Sequence, residues 1–338
     1  MNFEFVLPRK IIFGQGSIAK IGEEAKGLGA SRVLIVTSRG MLKRESLTEV
    51  TGYLQEQHLN FNVFSTVDPE PPVESVYKCI ASVEENGCDL VVGLGGGSVM
   101  DVAKKVASDL GLPKVMMPTT AGTGSEVTHE SVFKVDGRKK ALVDKSLVPD
   151  VAIVDPDLTK TIPPQLTISS GIDALAHALE CYESKSSNPL VKALALEACN
   201  LLKENIQKAV ERHSEARVNM CLGSLMAGMA FGNSGTTLGH ALSYPLSNRG
   251  VPHGEAVAMV LPYAMEFNRS DFAFVERLRE IVKIMKPKWD SDWDIKQMAE
   301  EVMADKKHLT NNPRDVTSAD VLMIFEKMKE EFQERQTA

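Results

Sequence analysis

Two spacings of hydrophobic residues divide the chain into halves. Up to about residue 155, short β-branched runs alternate with stretches of helical periodicity, which is the pattern of parallel strands joined by helices. Strands are predicted at 33–36, 90–94, 115–117 and 151–154, and helices at 72–86 and 98–109. We therefore expect an α/β fold with a doubly wound parallel sheet in this half.

The second half has the spacing of helices. From Thr167 onward, long stretches rich in Ala, Leu and Met replace the strand signals, at 171–184, 189–213, 217–230 and 253–267. Between the halves, Pro156, Pro163 and Pro164 interrupt both periodicities. We predict an N-terminal domain at residues 1–158 and an all-α C-terminal domain at residues 159–338.

Composition narrows the classes of function. The 338 residues are 43% hydrophobic and 25% charged, which is enough for two globular domains, and the net charge of −7 gives no broad basic surface for nucleic acid or anionic membranes. The N-terminus has no signal-peptide pattern, and the apolar stretch 256–265 is too short to cross a bilayer. Five cysteines show no CxxC spacing. We expect a cytoplasmic protein with reduced thiols and a small-molecule substrate.

A glycine-rich turn follows the strand predicted at 90–94. Gly95, Gly96 and Gly97 precede Ser98, which opens the next helix. Backbone N–H groups at such a junction approach an anion closely, and the helix N-terminus adds partial positive charge, so the pyrophosphate of a dinucleotide fits. The turn departs from the usual GxGxxG pattern, because Ser98 stands at the last glycine position. A tight turn in an α/β domain is an equally good explanation of this turn alone.

A second loop of small residues, 118–125, follows the strand predicted at 115–117. It should emerge at the same carboxyl edge of the sheet, where ligands bind in open α/β folds, so its hydroxyls and amides can contact ribose or diphosphate. The alternative is a solvated connection rich in turn-forming residues.

Four side chains of the helical half form a candidate metal site. Asp173 and His177 lie four residues apart, which places them one turn apart on a single helix face. Such a pair alone is more often a helix-surface pair or a core histidine. His240 and His253 lie among mostly apolar neighbours, so they are not simply solvent-exposed histidines. One carboxylate and three imidazoles suit a divalent first-row metal and leave room for a substrate oxygen.

The other four histidines lack such partners in the sequence. We interpret His58, His213 and His308 as surface residues, and we leave His129, which lies close to the 118–125 loop, without an assignment.

In their order along the chain, these motifs resemble the iron-containing (group III) alcohol dehydrogenase family. The similarity covers most of the chain and rests on blocks at 13–17, 34–37, 95–101, 118–126, 155–158, 171–177, 240 and 252–254. It implies a Rossmann-like dinucleotide domain, a helical C-terminal domain, a dehydroquinate synthase-like architecture and a catalytic metal in the cleft between the domains. It also implies a homodimer.

The resemblance assigns roles to individual residues. It implies that Gly95, Gly96, Gly97 and Ser98 hold the pyrophosphate, that Thr119 and Thr120 face the cofactor, and that Lys139 reaches its ribose. Further cofactor-binding candidates in the same blocks are Asp101, Thr123 and Ser125. The metal ligands would be Asp173, His177, His240 and His253, with Fe²⁺ as the usual ion of the family and Zn²⁺ or another first-row metal also compatible.

One departure from the family pattern concerns proton transfer. Family members commonly carry a second histidine four residues after the first of the late pair, and here that position is Tyr244. The residue either assists proton delivery or closes off the nicotinamide pocket by packing. Ser243-Tyr244 followed by Pro252-His253-Gly254 is similar to the phosphonoacetaldehyde reductase branch, which favours a small and anionic aldehyde as substrate.

Another departure concerns the cofactor. Members that prefer NAD usually place an aspartate after the threonine of the first strand, and this chain has Ser38 and then Arg39. Without the carboxylate a 2′-phosphate is not repelled, and a guanidinium can pair with it, so NADP(H) is favoured over NAD(H). The alternative is that Arg39 points into solvent. A third departure is a shorter helical domain after Asn268, which leaves the shape of the substrate cleft open.

We therefore predict a metal-dependent alcohol dehydrogenase or aldehyde reductase that uses NAD(P) and acts on a small alcohol or aldehyde. Two alternatives stay open. A dehydroquinate synthase-like lyase would carry a glutamate where Asp173 stands, together with several basic phosphate contacts that are not matched here. A non-catalytic nucleotide-binding or metal-binding protein can be built on the same scaffold.

Overall fold

The computed structural model describes residues 2–135, 137–270, 272–285 and 287–337, apart from the side chains of 272–275 and 335–337. The strands are β1 (Lys10–Phe13), β2 (Arg32–Val36), β3 (Asn60–Phe64), β4 (Leu90–Gly95), β5 (Lys114–Pro118), β6 (Glu130–Val135), β7 (Arg138–Val143) and β8 (Val151–Val154). The helices of the first half are α1 (Ile21–Gly27), α2 (Glu45–Glu56), α3 (Glu74–Asn86) and α4 (Gly97–Leu110).

The rest of the described chain is helical. Its helices are α5 (Pro164–Glu183), α6 (Pro189–Val210), α7 (Ser214–Phe231), α8 (Leu238–Asn248), α9 (His253–Asn268), α10 (Phe272–Met285), α11 (Ile295–Ala304), α12 (Lys306–Asn311) and α13 (Ser318–Thr337). This confirms the predicted fold class, an α/β sheet half followed by an all-helical half. Among the described residues, no helix is both long and apolar enough to cross a membrane.

Six strands form one parallel sheet in the order β1-β8-β5-β4-β2-β3. The central strands β4 and β5 are fully buried, which is typical of a sheet covered by helices on both faces. One face carries α1 and α2, and the other carries α3 and α4. The predicted strands and helices of this half are confirmed.

The prediction missed β1, β3 and an antiparallel hairpin of β6 and β7. Both β1 and β3 are edge strands with half-exposed residues, so they lack the continuous apolar run that marks a buried strand. The hairpin is charged, with the sequence Arg-Lys-Lys in β7. Such a run does not predict a strand, because lysine is depleted in strands. The hairpin lies outside the main sheet and contacts α4.

The two small-residue loops emerge at the same edge of the sheet, as predicted. Gly95 pairs with Pro118 in the parallel register of β4 and β5, so the turn after β4 lies beside the loop after β5. Gly97 is required at this contact, because a Cβ there would lie 2.6 Å from Cγ2 of Thr123. At Gly124 the backbone has a φ of +58° and a Cβ would lie 2.5 Å from Cα of Gly228, so the loop packs closely on α7.

Candidate active site

A cavity of about 460 Å³ lies between the carboxyl edge of the sheet and the helical half. The residues predicted to bind metal or cofactor line it, with the exception of Gly95 and Arg39. Gly95 is buried at the end of β4, and Arg39 is exposed. The structure thus brings residues from distant parts of the sequence around one cleft.

Three of the four predicted metal ligands have donor atoms within 4.8 Å of one another. They are Asp173 on α5, His240 on α8 and His253, the first residue of α9. Oδ1 of Asp173 lies 3.8 Å from Nε2 of His240 and 3.7 Å from Nε2 of His253. The carboxylate therefore lies between the two imidazoles.

His177, the fourth predicted ligand, lies beside this trio. Its ring stacks on that of His240 with 4.6 Å between centroids, and its other face stacks on Phe231 at 4.0 Å. Nδ1 of His177 is 3.3 Å from the carbonyl oxygen of Gly122 in the 118–125 loop. When Nδ1–H donates to that carbonyl, Nε2 keeps its lone pair for a ligand bond.

The trio fits a divalent cation. Oδ1 of Asp173 and Nε2 of His240 are buried and have no hydrogen-bond partner within the described residues, and Nε2 of His253 lies 3.7 Å from the same carboxylate oxygen. Each unsatisfied buried polar atom costs about 1–3 kcal/mol. A cation is the partner that such a set of oxygen and nitrogen donors lacks.

Glu180 orients one of these imidazoles, and the sequence analysis missed it. Its Oε2 accepts the Nδ1–H of His240 at 2.6 Å, and its carboxylate also accepts the backbone N–H groups of Thr237 and His240, each at 3.0 Å. Burial opposes the charge of Glu180, but His240 outweighs it and lowers the pKa of the carboxyl. Positions 173, 177 and 180 share one helix face at spacings of four and three, which is the signal that could have identified Glu180.

The pKa values of His177 and His253 suit a metal site, whereas at His240 the carboxylate of Glu180 outweighs burial and raises the pKa of the ring. Burial lowers the pKa of His177 to about 4. Burial also lowers the pKa of His253 well below its ordinary value, and the positive charge of Lys139 acts in the same direction. Both rings are therefore neutral at pH 7, which is the form that binds a metal.

His308 lies in this cleft, so its interpretation as a surface residue was wrong. The side chain is 3% exposed, and its Nδ1–H donates to Oδ2 of Asp305 at 2.6 Å. Its ring lies 6.3 Å from that of His240 and 5.5 Å from that of Tyr244, centroid to centroid. The error has a local cause, because Lys306 and Lys307 precede His308 and give the segment the composition of a solvated surface.

The remaining histidines lie away from the cleft walls. His58 and His213 are exposed, as predicted. His129 is half-buried, and its buried Nδ1 has no hydrogen-bond partner among the described residues.

Tyr244 lies at the same end of the cleft as His308. Its ring is 6.2 Å from that of His253. Burial raises the pKa of the phenol well above its ordinary value, and the nearby carboxylates of Glu130, Asp305, Glu180 and Asp173 raise it further. The hydroxyl of Tyr244 is therefore protonated and uncharged, and carboxylates lie around it.

At the other end of the cleft, the glycine-rich turn opens α4 at Gly97. Asp101 accepts hydrogen bonds from Oγ of Ser125 at 2.7 Å and from the backbone N–H of Val132 at 3.0 Å. It thereby fixes the 118–125 loop and the hairpin against α4.

The hairpin of β6 and β7 brings Lys139 into the cleft. The lysine side chain is 6% exposed, and its Nζ pairs with Oε1 of Glu70 at 2.7 Å. Lys134 pairs with the other oxygen of Glu70, also at 2.7 Å. The lysine is thus held in place by an ion pair that the sequence did not reveal.

The end of β2 forms the remaining wall. Ser38 lines the cleft, and Arg44 lines it as well, although the sequence analysis had singled out Arg39. A short 3₁₀ helix at Arg39–Lys43 turns the chain, which leaves Arg39 exposed and Arg44 half-buried.

Two family models match this chain. The model described as "Iron-containing alcohol dehydrogenase" matches residues 8–156, and "Fe-containing alcohol dehydrogenase family, C-terminal" matches residues 167–293. Both describe alcohol dehydrogenases, so neither the lyase nor the non-catalytic alternative is supported.

Relatives and solved structures agree with these models. Long-chain-alcohol dehydrogenase 1 of Geobacillus thermodenitrificans is 38% identical over 78% of this chain and 73% of its own length. A crystal structure of 1,3-propanediol oxidoreductase superposes with a TM-score of 0.90 at 28% identity, covering 97% of this chain and 100% of that one. Sulfoacetaldehyde reductase from Bifidobacterium kashiwanohense, solved with NAD⁺, has a TM-score of 0.87 at 30% identity over 97% of this chain and 99% of its own.

The matches span both halves of the chain and include the segments that carry the clustered carboxylate and imidazoles. The protein therefore belongs to the iron-containing alcohol dehydrogenase family and is an oxidoreductase that acts on alcohols.

Proposed function

We propose that the protein transfers a hydride between a small alcohol or aldehyde and NADP(H), with one divalent metal held by Asp173, His177, His240 and His253. The observation that carries this proposal is the meeting of two buried and unpartnered donor atoms, Oδ1 of Asp173 and Nε2 of His240, with Nε2 of His253 in the cleft that the glycine-rich turn also lines. Iron is the ion that the family name implies.

The residues present prepare the site for such an ion. Glu180 holds His240 with Nε2 turned to the centre, and the carbonyl of Gly122 holds Nδ1 of His177. These side chains would hold a divalent ion, which would supply Lewis acidity at the oxygen of the substrate. The rings of Phe231 and His240 stack on that of His177 at one side of the site.

The turn and loops at the sheet edge are proposed to bind the dinucleotide. Gly95, Gly96 and Gly97 allow the backbone N–H groups at the start of α4 to approach a pyrophosphate, and Ser98 and the loop threonines Thr119, Thr120 and Thr123 add hydroxyls. Asp101 and Ser125 hold the loop in place. Lys139 is proposed to contact the ribose, and a nicotinamide bound here would supply the hydride chemistry.

The preference for NADP(H) rests on the end of β2. Ser38 leaves the cleft without a carboxylate at that position, and the guanidinium of Arg44 lines the same wall. We therefore assign the contact with a 2′-phosphate to Arg44 in addition to the exposed Arg39. The relative solved with NAD⁺ shows that this fold also takes the unphosphorylated cofactor.

An anionic aldehyde is the second candidate substrate. It is favoured by the resemblance at Tyr244 and by the structural relative that is a sulfoacetaldehyde reductase, at 30% identity. Lys139 is the cation that acts on His253 and would receive an anionic group there, but it is already paired with Glu70.

Assembly and compartment are further proposals. A homodimer is proposed on the family resemblance alone, and sedimentation analysis of the purified protein tests it. A cytoplasmic location is proposed because the five cysteines are all free, and four of them are buried.

The function is tested with one assay grid. NADH and NADPH are each offered with propanal, lactaldehyde, sulfoacetaldehyde and phosphonoacetaldehyde, and the metal content of the same sample is measured. We expect stoichiometric metal and cofactor oxidation with at least one aldehyde. His253→Ala should lose both the metal and the turnover, and a His253→Ala protein that is metal-free and fully active would refute the proposal.

A further inference from the structure

Two polar groups at one end of the cleft have no hydrogen-bond partner among the described residues. They are the hydroxyl of Tyr244 and Nε2 of His308, and both residues line the cleft. The rings lie edge to face, with 5.5 Å between centroids and an angle of 85° between planes. Neither group takes part in the site's other hydrogen bonds, so both are available to a bound molecule.

His308 is held in one orientation. Its Nδ1–H donates to Oδ2 of Asp305 at 2.6 Å, and Asp305 also caps α12 by accepting the backbone N–H of His308 at 3.3 Å. This leaves Nε2 as the only ring nitrogen that can meet a ligand. Because the ring cannot turn without breaking the bond to Asp305, Nε2 faces a fixed point in the cleft.

The helix that carries His308 is itself anchored to both halves of the molecule. Lys307 pairs with both carboxylate oxygens of Glu130 on β6, each at 2.9 Å. Nδ2 of Asn311 donates to the carbonyls of Ser234 at 2.8 Å and Thr236 at 3.1 Å. A short helix fixed at two points provides the rigidity that a specific ligand contact needs.

The charge of the surroundings selects the kind of ligand group. Glu130 lines the cleft, Asp305 is bonded to His308, and Lys307 is already neutralised by Glu130. An anionic group at this end would lie near Glu130 and Asp305, and Lys307, the cation beside them in the described part of the chain, is already paired with Glu130. A neutral hydroxyl has no such penalty, and it can both donate and accept a hydrogen bond.

We propose that His308 and Tyr244 together bind a second hydroxyl group of the substrate, so that the enzyme favours short hydroxyaldehydes and diols over unsubstituted aldehydes and alcohols. The inference rests on the proposed function, since it concerns the same cleft. The ring of His308 lies 6.3 Å from that of His240, and the ring of Tyr244 lies 6.2 Å from that of His253, centroid to centroid. A short carbon chain with its reacting oxygen at the histidine cluster can therefore reach them with a second oxygen.

The test compares substrates of equal chain length that differ in one hydroxyl. The ratio of kcat/KM for 3-hydroxypropanal and lactaldehyde to that for propanal is measured for the metal-loaded wild type and for His308→Leu, His308→Gln and Tyr244→Phe. We expect the wild-type ratio to exceed one for at least one hydroxyaldehyde. His308→Leu and Tyr244→Phe should each lower it about tenfold, the scale of one lost hydrogen bond to a buried group.

Two variants control for indirect effects. The amide of His308→Gln reaches the place of Nε2, so it should recover a large part of the ratio. Lys306→Met changes an exposed residue of the same helix and should leave the ratio as in the wild type. Metal content and circular dichroism are measured for every variant, so that loss of fold is recognised.

A binding measurement complements the kinetics. With metal and reduced cofactor bound, 1,3-propanediol should raise the Tm of the wild type more than 1-propanol does, and His308→Leu should abolish the difference. An unchanged ratio in His308→Leu, or a wild type that prefers sulfoacetaldehyde, would overturn the inference. A metal-loaded wild type that reduces none of these aldehydes would instead overturn the proposed function.

Discussion

Glu180 is the residue on which the geometry of the candidate metal site depends most directly. It accepts three hydrogen bonds, from the backbone N–H of Thr237 and from the backbone and ring of His240. Gly239 makes this possible, because a Cβ there would lie 2.0 Å from Oε1 of Glu180. One buried carboxylate thus sets both the start of α8 and the direction of an imidazole.

Removing this carboxylate should weaken metal binding without removing a ligand. In Glu180→Ala the ring of His240 loses the acceptor that fixes its tautomer, so we expect metal affinity to fall about 10- to 100-fold. Glu180→Gln keeps one acceptor oxygen and should lie between the wild type and the alanine variant. Competition titrations with a metal chelator give the affinities, and an unchanged affinity in Glu180→Ala would contradict the role of Glu180.

At the residue scale, the sequence is informative where chemistry restricts the residue type. Asp173, His240 and His253 were predicted because few polar residues are placed among apolar neighbours unless they have a ligand. Glu180 and His308 were missed, because their positions in the cleft depend on how α8 and α12 pack against α5. Packing between distant segments leaves no signal in either segment alone.

At the scale of elements, the hairpin of β6 and β7 was the main feature that the sequence did not predict. It adds a wall to the cleft, at the end where we propose that the cofactor binds, and it contributes Lys139. Its attachment depends on Glu70, whose backbone has a φ of +51° and whose carboxylate contacts both Lys134 and Lys139. Burial opposes the charge of Glu70, but the two lysines outweigh burial and lower its pKa.

This ion pair gives a prediction for stability against pH. Because the pKa of Glu70 is lower in the folded protein, its contribution is present above the ordinary glutamate value of 4.5 and is lost as the pH falls through the lowered pKa. Glu70→Gln should reduce the free energy of unfolding by about 1 kcal/mol at pH 7, a value discounted for partial exposure. The difference from the wild type should shrink below pH 4.5.

Lys134→Met is the matched control, since it removes the partner that is 37% exposed and keeps the buried Lys139 paired. It should change the free energy of unfolding by no more than about 0.5 kcal/mol. Urea titrations at pH 7 and pH 4 measure both variants. If Glu70→Gln is as stable as the wild type at pH 7, the ion pair does not hold the hairpin in place.

At the scale of the whole molecule, the pattern of hydrophobic residues predicts the fold. The shape of the cleft depends instead on how the two halves pack against each other. The buried strands and the long helices are periodic enough to be predicted, and so the fold class was confirmed. The shape of the cleft depends on contacts such as Lys307 with Glu130, which join residues 177 positions apart in the sequence. No local pattern specifies such a pair.

Metal binding at the candidate site should affect the stability of the molecule as a whole. The donor atoms that are unpartnered in the described structure cost free energy, and a bound cation removes that cost. At a free metal concentration one hundred times Kd, binding stabilises the folded protein by about 2.7 kcal/mol. For a chain of this length we expect a rise in Tm of about 4 °C.

Asp173→Asn separates this effect from general stability. The variant removes a buried charge that has no partner on Oδ1, so without metal its Tm should equal or exceed that of the wild type. It should show no rise in Tm when metal is added, because the central carboxylate is gone. Calorimetry of both proteins, first chelator-treated and then reloaded with Fe²⁺ or Zn²⁺, measures this. A wild-type Tm that does not respond to either ion would mean that the four side chains are not a metal site.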